Sequence, residues 1–193
     1  MSTRLLVTGT GRCGTTWLAD TLTVAGLPCG HEAVFNLHRH GEGGWVAESS
    51  WLAAPYLPVP DTYTVHLVRH PLAVIRSFVA KGTFRLRRRP YGRYAARHVP
   101  DIAEQPTTLE RAAVHWVQWN LMIEDGRPDE RIRIEDITCD DLRRMAGKTG
   151  HRLDIDRLPP PSNGVADLGP EVTWRQVQHI PGLLVTAERY GYR

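Results

Sequence analysis

The chain has 193 residues, 41% hydrophobic and 23% charged, with 24 basic and 21 acidic residues for a net charge of +3. That balance excludes a wholly disordered chain and suffices for one domain, 1–193, with its own core. No apolar run approaches the ~20 residues of a membrane span, and the start, MSTRLLVTGTG, lacks the pattern of a secretory leader, so a cytoplasmic protein is expected. Three cysteines, Cys13, Cys29 and Cys139, leave one over under any disulfide scheme and have no metal-ligand spacing; free thiols in a reducing compartment fit. Of the 24 basic residues only Lys81 and Lys148 are lysine, so the cations are mostly planar forks suited to phosphate, sulfate and carboxylate.

Residues 4–8 (RLLVT) read as a short buried strand, and a Gly-rich turn follows. Residues 15–25 read as a helix with Trp17, Leu18, Leu22 and Ala25 on one side, stopped at Gly26 before Pro28. An extended piece is expected at 28–31. Residues 47–57, with Trp51, Leu52 and Tyr56, fit either a helical turn or an irregular wall. Residues 62–68 (TYTVHLV) form the second clear strand and run into Arg69-His70-Pro71, where proline suits the first turn of a helix. A longer helix over 106–125 carries Trp116 and Trp119. Residues 131–134 (RIRI) are a third strand, followed by Glu135-Asp136 and a helix over about 138–148. The stretch 157–170 is a loop, and a last helical region ends at Tyr190-Gly191-Tyr192. Strands alternating with helices predict a three-layer α/β/α fold with a mainly parallel sheet and a P-loop-like strand-loop-helix at its front.

The strongest signal is that front segment: a strand, Gly9-Thr10-Gly11-Arg12-Cys13-Gly14, then Thr15-Thr16 opening a helix. Glycines let backbone amides converge on an anion, and a helix N-terminus adds free donors and partial positive charge. The spacing nearly matches G-x-x-x-x-G-K-[ST], but Thr15 stands where the lysine belongs and the cation is Arg12.

In this cation placement the chain resembles the P-loop sulfotransferases, whose loop [KR]-x-G-T-[TS]-W reads here Arg12-Cys13-Gly14-Thr15-Thr16-Trp17. The resemblance implies that Arg12, the amides of Gly14 to Thr16 and the two threonine hydroxyls grip the 5′-phosphate of PAPS (3′-phosphoadenosine 5′-phosphosulfate). Trp17 would flank the adenine or pack in the core. A second signature, TVHLVRHPLAVIRSF at 64–78, resembles the family's 3′-phosphate clamp and implies that role for Arg69 and Ser77; Arg76 beside it reads as a surface charge. RIRIEDI at 131–137 is a looser match, with Glu135 and Asp136 expected to cap the next helix or orient basic residues. The family's late Arg-Lys-Gly motif is missing; the 159–170 loop with Asn163-Gly164, or Trp174-Arg175, would stand in for it. The resemblance covers 4–35 and 62–80 well, 116–137 loosely, and the rest hardly.

Sulfuryl transfer needs a general base for the acceptor proton and a cation near the departing oxygen. Arg12 suits the second role, and no metal is required. Cys29-Gly30-His31-Glu32 should return along the carboxyl edge of the sheet, so both His31 and Glu32 are candidate bases. The tyrosylprotein branch of the family has a similar Cys-Gly-Glu-Glu stretch, which implies the role for Glu32, with His31 supporting it or binding substrate. His38, His40, His66 and His70 are further candidates. Acceptor residues are sought at 35–60, where Trp45, Glu48, Ser49, Ser50, Trp51 and Tyr56 could face a sugar or a phenol, or pack together.

The run 81–98 carries Lys81, Arg85, Arg87, Arg88, Arg89, Arg93 and Arg97 with interleaved Phe84, Tyr91 and Tyr94. It reads as a solvated face, a basic lid over nucleotide or an anionic acceptor, or a nucleic-acid surface. The expected function is transfer from PAPS to a hydroxyl of a small molecule or glycan, a carbohydrate or glycolipid first. The rivals are a P-loop kinase using ATP and Mg²⁺, and a nucleic-acid-binding module built on 81–98.

Overall fold

A computed structural model of the chain describes residues 3–160, 169 and 171–193. The chain divides into two compact units, Met1–Val68 with Ile123–Gly164, and Arg69–Met122 with Val165–Arg193.

The first unit is built on a five-stranded sheet in the order β2-β3-β1-β4-β5, with every pairing parallel. The strands are β1 (Arg4–Gly9), β2 (Cys29–His31), β3 (Ala47–Ser49), β4 (Thr62–Val68) and β5 (Glu130–Arg133). Leu5, Leu6 and Val7 of β1 are fully buried, as expected of a central strand in a parallel sheet. Side chains alternate across the sheet. Leu5 and Val7 join Leu18 and Leu22 of α1 (Thr15–Val24) and Leu142 and Met145 of α6 (Cys139–Gly147) in one cluster. Leu6 joins Val34, Phe35 and Ala53 in another. An α/β fold with a mainly parallel sheet is therefore what the alternating pattern produces.

The 47–57 stretch resolves into two pieces: β3, inserted between β1 and β2, and a 3-10 helix over Trp51–Tyr56 capped by Ser50, whose hydroxyl accepts from the Leu52 amide at 3.2 Å. The cap of α6 separates the two roles expected of Glu135 and Asp136, capping that helix or orienting basic residues. Thr138 occupies it in a reciprocal box with Asp141, while Asp136 lies in a preceding 3-10 turn and pairs with Arg133 at 3.0 Å. Glu135 and Asp136 therefore do not cap that helix, and Asp136 takes the other expected role, holding a basic residue.

The second unit is helical: α2 (Pro71–Lys81), α3 (Pro90–His98), α4 (Asp101–Glu104), most of α5 (Thr108–Asp125), α7 (Trp174–Val177) and α8 (Leu183–Arg189). α2 starts with Pro71 in its first turn and stops at Gly82, whose φ of 61° is the left-handed form that terminates helices. α5 begins where Thr107 and Glu110 cap each other. The last helical region is two short helices, with left-handed Gly182 opening the second. The unit's core gathers Phe78, Phe84, Tyr94, His115 and Trp119 around one another. Burial holds the fully enclosed His115 neutral, lowering its pKa to about 3. No helix among the described residues is long and apolar enough to cross a membrane.

Candidate functional site

The turn after β1 is shaped by contacts that leave no room for side chains. A Cβ at Gly9 would collide with the Leu67 carbonyl of β4, so only glycine lets the two strands' ends approach here. Cys13 is buried beneath the turn, and its amide donates to the Thr10 carbonyl at 3.3 Å. Gly14 is the N-cap of α1 in the left-handed region, φ 110°, with no side-chain cap. The first-turn amides of Thr15 and Thr16 reach no backbone carbonyl among the described residues, as is normal for a helix start. Free amides with a helix dipole behind them can receive an anion.

Arg12 and Glu32 both adopt left-handed backbone angles, φ 70° and 50°. Each such non-glycine residue costs on the order of 1 kcal/mol or more and persists only where its surroundings enforce it. For Glu32 the enforcement is visible. The carboxylate of Glu48, 1% exposed on β3, accepts the amides of Val34 at 3.1 Å and Phe35 at 3.3 Å. Ser50 donates to the Phe35 carbonyl at 2.8 Å. The turn that carries Glu32 is thus pinned from β3 and the residue after it. Burial raises the pKa of Glu48, an effect its backbone hydrogen bonds partly oppose. Gly30 faces Glu48 in register, and a Cβ there would overlap the carboxylate.

The next residue of β3 supports the other half of the site. Ser49 pairs with His31 across the sheet and donates to the Thr15 carbonyl at 2.9 Å. Against this frame the His31 Nε2 lies 3.3 Å from the Thr15 hydroxyl and 3.1 Å from the Thr16 hydroxyl. The Glu32 carboxylate is 3.8 Å from the same nitrogen. The structure therefore brings together Thr15, Thr16, His31 and Glu32, residues from two separate sequence signals. The arrangement can hold an anion at the helix start, with the His31 imidazole beside both hydroxyls and the Glu32 carboxylate beside that imidazole.

Other expected residues sit differently. Trp17 is 9% exposed, belongs to the core, and donates its indole N–H to the carbonyls of Pro159 and Pro160 at 3.3 and 3.2 Å. It also lines a cleft of about 880 Å³ with Asp20, Val24, Ile155 and Leu158. At Cys29, burial, then the charges of Glu48 and Asp20, push the thiol's pKa well up. The acceptor stretch is largely used for packing. Trp51 is buried, Tyr56 stacks on His40 at 4.7 Å, and Trp45 donates to the Gly41 carbonyl under the Arg4 guanidinium. Glu48 and Ser49 are supports beneath the site. A Glu-Ser pair between Ala47 and Trp51 was the available signal for an enclosed polar strand.

In the second unit, Arg69 is half-buried and its carbonyl accepts from the Trp116 indole at 3.2 Å. Ser77 is 3% exposed on α2. Arg76 is no surface charge; it is half-buried and donates to the Gly169 carbonyl at 2.5 Å. His70 meets the ring edges of Trp174 and Tyr192 at 5.7 and 5.2 Å, and Arg193 lies over Trp174, so Trp174 is engaged in packing. His66 is buried in β4 and His38 is exposed. Asn163-Gly164 lie outside the described residues. No group of three or more His, Cys, Asp or Glu that could hold a metal ion occurs among the described residues. No family model, no curated protein and no solved structure matches this chain.

Proposed function

We propose that the chain is a sulfotransferase that moves a sulfuryl group from PAPS to an acceptor hydroxyl. One observation carries the reading: the Thr15 and Thr16 hydroxyls, at an uncapped helix start, converge on His31 Nε2 with the Glu32 carboxylate 3.8 Å away. An anion cradle and a proton acceptor then share one place, which is what in-line transfer to an alcohol requires.

The residues suit the nucleotide. Bare first-turn amides and two hydroxyls match a 5′-phosphosulfate, and the strand-turn-helix is read as a phosphate-binding loop with Arg12 in place of lysine. PAPS, when bound, supplies the activated sulfuryl group. Arg12 would place its guanidinium against charge growing on the departing oxygen. Glu32 would take the acceptor proton. His31 would hold the threonine hydroxyls in orientation, donating or accepting according to which ring nitrogen carries its proton. Arg69 and Ser77 are assigned to the 3′-phosphate, which distinguishes this nucleotide from ATP. The Trp17 cleft, lined by apolar side chains and carboxylates, suits the adenine better than a phosphate.

An NMR titration with adenosine 3′,5′-bisphosphate tests the reading. The amides of Gly14, Thr15 and Thr16 and that of Ser77 should shift together with one affinity. Shifts confined to either group, or to neither, count against it.

A further inference from the structure

The strand β3 carries two buried polar side chains, Glu48 and Ser49, 1% and 0% exposed. Neighbours along a strand point to opposite faces of the sheet, and the partners of these two agree. Ser49 donates to the Thr15 carbonyl in the first turn of α1. Glu48 reaches the other way, to the chain leaving β2. In register the two stand beside Gly30 and His31. One short strand therefore meets both halves of the site, the helix start with its hydroxyls and the turn that carries Glu32.

The turn is held by charge. β2 ends at His31, and the next residue, Glu32, is left-handed at φ 50°. Val34 and Phe35 then sink into the cluster with Leu6 and Ala53, which encloses their amides. Enclosed amides need acceptors, and both donate to the Glu48 carboxylate, at 3.1 and 3.3 Å. The Ala33 amide adds to the stabilisation of the same negative charge. Successive amides converging on one anion form a nest, filled here by a carboxylate of the chain itself. A Cβ at Gly30 would overlap that carboxylate, so the glycine makes its room.

This acceptor works against folding. Burial raises the pKa of Glu48, and the amides and the His31 charge offset only part of that. A carboxyl whose folded pKa lies above its unfolded value weakens folding once the pH has passed both. Groups kept at such a cost gather at functional sites. At this one stands Glu32, its carboxylate 3.8 Å from His31 Nε2.

We infer that Glu48 and Ser49 are positioning residues for the transfer step, an inference that rests on the sulfotransferase reading: Glu48 holds the Glu32 carboxylate beside His31, and Ser49 holds the first turn of α1 against the same imidazole.

The test uses the full chain and PAPS alone, with water as the acceptor, and reads sulfate release in a single turnover. The water oxygen bonds to sulfur, and the bond from sulfur to the bridging oxygen breaks. The electron pair stays on the nucleotide phosphate, and the water proton passes to Glu32. Glu48→Gln should slow release on the order of tenfold, as expected of a misplaced base, and leave the Kd of adenosine 3′,5′-bisphosphate unchanged. Added to Glu32→Gln, it should slow release no further, because no base is left to misplace. Gly30→Ala pushes the carboxylate aside with its charge intact. It should repeat both results, and it carries the test should Glu48→Gln fail to fold. Ser49→Ala should weaken bisphosphate binding about fivefold, the loss of one hydrogen bond. Amide exchange at Val34 and Phe35 should quicken in Glu48→Gln while that of Leu5 to Val7 stays slow.

An equal slowing in the Glu32→Gln background, unchanged release, or unchanged exchange at Val34 and Phe35 overturns the role of Glu48. Wild-type bisphosphate affinity in Ser49→Ala overturns that of Ser49. If the wild type neither binds the bisphosphate nor releases sulfate while exchange at Val34 and Phe35 quickens as expected, the sulfotransferase reading falls and the hold of Glu48 on the turn stands.

Discussion

Two adjacent parallel strands, β1 and β4, each lead into a turn that opens a helix, and the two turns are made by opposite means. After β1 the chain uses glycines: Gly14 caps α1 with φ 110°, and the first-turn amides stay available. After β4 it uses Arg69-His70-Pro71, where proline removes an amide from the first turn of α2. The first turn therefore offers backbone donors and short hydroxyls. The second offers one backbone donor fewer and adds side chains, Arg69 before the helix and buried Ser77 within it. If both hold phosphates, changes in the first turn should affect the transfer step, and changes in the second should affect which nucleotide is chosen.

Arg12 should give the largest effect. Arg12→Ala should lower single-turnover rate by ~10²–10³, the usual size of one donor to developing charge, while bisphosphate affinity changes less. A change in Kd alone would make it a binding residue and erase the contrast between the turns.

Glu32→Gln keeps the shape and removes the basicity. It should lower kcat by ~10²-fold while bisphosphate binding survives, with His31→Ala as the milder control. A dead His31→Ala beside an active Glu32→Gln would move the base to His31.

Arg69→Ala should abolish the preference for adenosine 3′,5′-bisphosphate over AMP. Arg69 is half-buried, so the loss should be about 2 kcal/mol, the range of a charged hydrogen bond, as read by calorimetry. An unchanged preference would remove the second turn from the site.

The smallest effect concerns the platform of the second turn, because Phe78 of α2 packs edge-on against His115. The pKa of His115 is lowered from 6.5 to about 3. Below its ordinary value the unfolded chain binds the proton and the folded chain does not. The stability it contributes is therefore whole above pH 6.5 and lost as pH falls towards 3, with about 2 kcal/mol lost by pH 5. Urea titrations at pH 7 and pH 5 should show a smaller difference for His115→Phe than for the wild type. The same difference in both would mean that other groups set the acid limb.

The comparison also separates what the sequence makes legible from what it does not. β1, α1, β4 and α2 are readable because apolar runs end at glycines or proline, which act locally. β5 is displaced by one residue because Ile134 enters a 3-10 turn. β3 is hidden: three residues long, it buries Glu48 and Ser49 between β2 and β1, where polar side chains mimic a loop. α3 is hidden for the converse reason, since its arginines mask a narrow buried face of Gly92, Tyr94 and Ala95. Of the site, Thr15, Thr16, His31 and Glu32 are legible as types and spacings. Their dependence on Glu48 and Ser49 is not, because it arises from strand order, which no local pattern encodes.

The most direct measurement is the melting temperature of the chain with saturating adenosine 3′,5′-bisphosphate, AMP and ATP-Mg²⁺ in parallel. A ligand bound only by the folded state raises the transition in proportion to the logarithm of its concentration over Kd. A shift far larger for the bisphosphate than for AMP, and insensitive to EDTA, is the result expected of a 3′-phosphate clamp acting with the glycine turn. Equal shifts from the bisphosphate and AMP, or a shift from ATP that requires Mg²⁺, would contradict it.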